Sequence, residues 1–226
     1  MTEQILKSNK PQNQKFVFLY ALIGSLIIFN IGIFMGYMLE ASRLDKIDSL
    51  YLGTEAELFD QIAQREALSM MDLNCDSLIE ENIQFGDRIY EEAMKIQKYE
   101  GANTLSSIDL YHKKFDVLRA LFWVNSMKIK QQCGYNSHNV VYFYQYNNPS
   151  INQESKQKVF SNLLAELKDE LGNKILLVPL SGDNDIPSIN LLMEEYNITE
   201  LPTILIDEKI KLTDIESRED IEQYLT

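Results

Sequence analysis

The chain is poor in the residues that carry most enzyme chemistry. It has two cysteines and two histidines in 226 residues. Two cysteines exclude a disulfide-dense scaffold. His112 and His138 stand in no metal-ligand spacing, so a surface or hydrogen-bonding role is expected for both. No Gly-rich phosphate loop, zincin motif or nucleophile elbow is present in the sequence, and nothing in it calls for a cofactor. The run SGDND at 181–185 is rich in oxygen donors, yet it lacks EF-hand spacing and the terminal Glu. It reads as a solvated loop. Positive charge is scarce too: 21 Lys and Arg stand against 34 Asp and Glu, a formal net charge of −13. A nucleic-acid partner needs a basic surface, so that class is excluded.

Charge vanishes altogether over residues 16–39, FVFLYALIGSLIIFNIGIFMGYML. As a helix this run would be about 36 Å long, enough for a hydrocarbon core of about 30 Å with some tilt. The expectation is a single transmembrane anchor. A cleaved signal peptide and a buried core helix are the alternatives; the run is long for a signal peptide, and no A-x-A site follows it. Asn30 lies mid-span, and Gly32-x-x-x-Gly36 has the spacing of a close helix pair. Residues 1–15 carry Lys7, Lys10 and Lys15 against Glu3, whereas the other flank mixes Glu40, Arg43, Asp45, Lys46 and Asp48. The positive-inside bias places the short tail in the cytoplasm and the body outside it.

Residues 40–72 keep helical periodicity through Leu44, Ile47, Leu50, Leu58 and Ile62, as a stalk with a break at Gly53-Thr54. Residues 73–134 read as two amphipathic helices in an antiparallel hairpin, turning at 100–103. The first presents Ile79, Ile83, Gly86, Tyr90 and Ala93; the second presents Ile108, Tyr111, Phe115, Leu118, Phe122 and Ile129. Helices of about 24 and about 28 residues differ by only about 6 Å in length. Antiparallel packing therefore brings Cys75, at the start of one, beside Cys133, at the end of the other. A structural disulfide is expected, suited to a compartment outside the cytoplasm. Two free thiols, or a redox pair, are the alternatives.

The remainder alternates strand and helix signals. NVVYFYQY at 139–146 is a strand run, and NNPS at 147–150 a turn. A helical stripe follows over 157–171, stopped by Gly172. KILLVPL at 174–180 reads as a parallel strand buried on both faces, and Pro187 opens another helix. Then comes YNITELPT at 196–203, a turn whose proline stands at the mouth of a β-branched strand. The order β-α-β-α-Pro-β-β-α over residues 139–226, with the motif Thr199-Glu200-Leu201-Pro202-Thr203, resembles the thioredoxin-like fold and its cis-proline turn.

The resemblance implies an α/β thioredoxin-like domain with a peptide groove between 147–155 and 199–203. It would also imply Cys-x-x-Cys where the first strand meets the first helix. Residues 146–156 read YNNPSINQESK, with no cysteine. The resemblance therefore implies the fold without dithiol chemistry and names no catalytic residue. Three functions follow as expectations. One is a membrane-anchored, extracytoplasmic module that binds a protein or peptide along Thr199, Glu200, Leu201, Pro202 and Thr203. Another is an oxidoreductase using Cys75 or Cys133. The third is an assembly component of a membrane complex. Asn197-Ile-Thr199 is also a glycosylation sequon, discounted for its closeness to the proline turn.

Overall fold

The computed structural model describes residues 14–70, 74–97, 105–215 and 217–225. The tail lysines Lys7 and Lys10 and the turn at 100–103 lie outside the described residues. The chain divides into two compact units, Met1–Leu50 and Tyr51–Thr226.

Helix α1 spans Gln14–Met70 and continues through the expected break at Gly53. One part of it, Phe16–Ser42, is long and apolar enough to cross a membrane, and none of its most apolar window is buried within the protein. Phe18, Ile28, Phe34 and Leu39 all stand exposed. Asn30 answers its own polarity: Nδ2 donates to Leu26 O at 2.7 Å within the same helix. Apart from the helix's own neighbouring backbone, nothing lies within 4 Å of a Cβ placed at Gly24, Gly32 or Gly36.

The second unit holds α2 (Cys75–Gln97), α3 (Leu105–Cys133), β1 (His138–Tyr144), α4 (Ile151–Leu171), β2 (Ile175–Ser181), α5 (Pro187–Glu195), β3 (Thr203–Ile206), β4 (Ile210–Leu212) and α6 (Glu219–Glu222). The sheet order is β2-β1-β3-β4. β1 runs parallel to β2 and antiparallel to β3, and β3 runs antiparallel to β4. The parallel step needs a crossover, which α4 supplies.

Strand alternation divides the core. Val140, Tyr142, Ile175, Ile204 and Ile206 meet Phe160, Leu164 and Leu167 of α4 and Ile221 of α6. Val141, Phe143 and Leu205, also buried, point the other way. There Trp123 of α3 stands edge-on to Phe143 at 6.1 Å and against Tyr196 at 5.3 Å.

Helix α3 is therefore covered twice, by the sheet and by α2. Phe85 meets Phe122 edge-on at 5.9 Å, and Asn82 Nδ2 donates to Ser126 Oγ. A Cβ at Gly86 would come within 2.8 Å of Phe122 Cζ, so glycine permits this approach. Phe115, Leu118, Phe122 and Ile129 are buried as expected, but so are Asp116, Asn125 and Ser126. A helix buried on two sides takes part of its polar face inside, and the amphipathic reading of α3 fails at those positions for that reason. On α2 the buried seam is Asn82, Phe85 and Ile89; Tyr90, expected on it, is exposed.

Local chemistry sets the element ends. β1 stops at Tyr144, before the expected 146, because the next two amides turn to side chains: Gln145 N–H to Gln157 Oε1 and Tyr146 N–H to Asp183 Oδ1. α4 starts at Ile151, earlier than 157, because Ser150 caps it and accepts from Gln153 N–H. α5 closes with Asn197 at φ 51, Ile198 N–H on Met193 O and Asn197 N–H on Glu194 O. That pair of bonds is a Schellman motif, with buried Ile198 as its apolar contact.

Candidate functional site

Cys75 and Cys133 form a disulfide with Cα atoms 5.5 Å apart. It joins the first residue of α2 to the last of α3. No free cysteine remains. Among the described residues, no group of three or more His, Cys, Asp or Glu is placed to hold a metal ion.

The disulfide sits near the start of β1, where several polar contacts gather on the β3–β4 turn. Asp207 accepts from Lys130 Nζ at 2.6 Å and from the Asn139 N–H at 3.0 Å, and it pairs with His138 Nδ1 at 2.6 Å. Glu208 accepts from Trp123 Nε1 at 2.7 Å and from Asn139 Nδ2 at 2.9 Å. Burial alone would raise the Asp207 carboxyl; the hydrogen bonds from Lys130, His138 and Asn139 outweigh it and hold the group below the usual range. His138 thus has the hydrogen-bonding role expected of it.

The proline turn lies at the other end of β1. The strand advances about 20 Å over its length. Leu201–Pro202 is cis. Thr199 and Glu200 are exposed, Leu201 is half-buried, and Pro202 and Thr203 are buried. Thr203 Oγ1 donates to Glu200 O at 2.6 Å. Gln153 Nε2 donates to Leu201 O at 3.0 Å, so the first turn of α4 touches the proline turn. The two expected walls of the groove are neighbours. Ile151, beside them on α4, is 82 % exposed. Ser150, at the helix start, is occupied as a cap.

The loop at 181–185 departs from expectation. Ser181 and Asn184 are buried. Asp183 accepts from the Tyr146 and Asn147 N–H groups at 2.7 and 2.8 Å, and Asn184 Nδ2 donates to Asp116 Oδ2 at 3.3 Å. Its oxygens serve backbone amides of the neighbouring loop, which is why they are not left to water. Asp116, fully buried on α3, was not singled out by sequence reasoning. Burial pushes its carboxyl up, against the pull of Arg119, Asn184, His112 and the Ser181 N–H. A lone Asp in a helical run gives no signal of this. His112 stacks on Tyr146 at 4.4 Å between centroids.

These contacts also cap the free edge of β2. Gly182 N–H bonds Tyr144 O, so even-numbered residues of this strand face β1 and odd-numbered ones face outward. The outward Ile175 N–H reaches Gly172 O, Ile175 O takes Lys168 Nζ, and Pro179 has no N–H. Part of that edge is thereby closed to an incoming strand.

No protein-family model matches this chain, and no curated protein matches it significantly.

Proposed function

We infer that this is a membrane-anchored, thioredoxin-like protein that binds an extended protein segment at its proline turn and carries out no dithiol exchange. The sheet order β2-β1-β3-β4, its single parallel pair, helices on both faces and a proline opening β3 support the thioredoxin-like reading. One observation carries the functional half. Both cysteines are joined at the His138 end of β1, while the helix start that a redox relative would furnish with thiols carries Ser150. Exchange needs an attacking thiolate with access to its target. A serine hydroxyl without a base is hardly ionised at neutral pH. What remains at the turn is shape and backbone, the means by which proteins receive an extended chain.

Binding is tested with the full chain in nanodiscs and a thiol-free unfolded probe, reduced and carboxamidomethylated α-lactalbumin. A photo-crosslinker placed at Ile151 or Glu200 should capture the probe saturably, and one at Glu81 on α2 should not. Equal capture at Glu81, or none anywhere, contradicts the reading. Anchorage is read separately. Protease added to intact cells should digest the body, and protection until lysis contradicts the orientation.

A further inference from the structure

The proline turn is engaged from within. Of its backbone acceptors, Glu200 O takes the Thr203 hydroxyl and Leu201 O takes the Gln153 carboxamide. The two donors differ in what they can do. Thr203 is only 1 % exposed, and its hydroxyl is fixed by the β3 backbone. Gln153 is half-buried on the first turn of α4, at the end of a side chain with three rotatable bonds. Its backbone N–H is held separately by Ser150, so the side chain can swing without uncapping the helix. Leu201 is anchored by its side chain. Its side chain packs over Gly182, where an added Cβ would meet Leu201 Cδ2 at 2.8 Å.

We propose that Gln153 is a built-in stand-in for the ligand backbone, its carboxamide N–H holding the Leu201 carbonyl that an added strand would take. The proposal rests on the reading of the turn as a peptide site and names how that site is regulated. A peptide N–H and a glutamine Nε2–H are the same kind of amide donor; a carbonyl oxygen can accept two, and in this proposal both approach Leu201 O from the same side, so that they compete. Affinity is then set by a displacement: the segment must break the Gln153–Leu201 bond before its own forms. Freed, the Gln153 carboxamide can turn to the bound backbone or to water.

A neutral intramolecular hydrogen bond of this kind is worth a factor of about 2 to 10 in an equilibrium. Two variants test it in full chains in nanodiscs, with reduced and carboxamidomethylated α-lactalbumin as probe. Gln153→Ala removes the donor; Gln153→Met removes it while keeping chain length and neutrality. Both should bind the probe about 2- to 10-fold more tightly than wild type. In wild type, the Gln153 side-chain NH2 resonances should shift as probe is added, at concentrations matching the binding curve. If wild type binds and neither variant binds more tightly, the proposal is overturned and the peptide reading stands. If wild type binds nothing, the peptide reading fails, and the proposal with it.

Discussion

The two ends of β1 are built on opposite plans. At the His138 end, a disulfide joins α2 to α3, and Lys130 and Trp123 of α3 bond Asp207 and Glu208 of the β3–β4 turn. At the Tyr144 end, Asp183 ties the loop amides and Asn184 reaches the buried Asp116, while the proline turn beside them is held by the neutral, half-buried Gln153 and Ile151 stands in solvent. At the proline turn, the Gln153–Leu201 bond is of the amide-to-carbonyl kind that a competing backbone can replace. That difference assigns stability to one end and exchangeable contact to the other.

The largest effect should come from Trp123→Ala. Trp123 is fully buried, packs on Phe143 and Tyr196, and donates to Glu208. Its loss should cost about 3–5 kcal/mol in urea unfolding of the body. A cost under about 1 kcal/mol would mean that the hairpin is an appendage to the sheet. Replacing both cysteines by serine should cost about 2–4 kcal/mol, by freeing a loop of 58 residues in the unfolded chain. Probe binding at the turn, at the far end of β1, should be unchanged in the folded variant. Gly86→Ala should cost about 1–3 kcal/mol, because Phe122 must give way to the new methyl; an unchanged midpoint would show slack between α2 and α3.

The smallest effect, Asp207→Asn, sharpens the comparison by pH. The Asp207 carboxyl is held below its ordinary value of 3.8 in the folded protein. Its stabilisation is therefore complete above pH 3.8 and is lost as pH falls through the lower folded value. The variant should be about 1–2 kcal/mol less stable at pH 7. The gap from wild type should close on acidification below pH 3.8. Asp116 works in the other sense. Its carboxyl is raised, so its charge costs stability at neutral pH, and that cost fades as pH falls toward 3.8. A gap for Asp207→Asn that widens on acidification would contradict the hydrogen-bonding account of this end.

Much of this was legible in the sequence, because the signals were local. Residues 16–39 announced themselves by lacking charge, and β3 was correctly placed at 203–206 by its proline and β-branched run. The Cys75–Cys133 bond was expected from the similar lengths and antiparallel order of two helices, with free thiols as the alternative. What was not legible depended on partners distant in the chain. Asp183 reads as loop oxygen until Tyr146 and Asn147 bring their amides to it. Asp116 reads as the polar side of an amphipathic helix until α3 is found between α2 and the sheet. Gln153 carries no motif at all. Its meaning comes from Leu201, 48 residues away.

The central claim is that the thiol chemistry of this chain is spent on structure and its proline turn is left for binding. The most direct test is insulin reduction in the presence of dithiothreitol, comparing the full chain in nanodiscs with its Cys133→Ser variant. The prediction is no turnover above the uncatalysed rate for either protein. Turnover by the wild type that Cys133→Ser abolishes would contradict the claim and make the Cys75–Cys133 pair an active redox site.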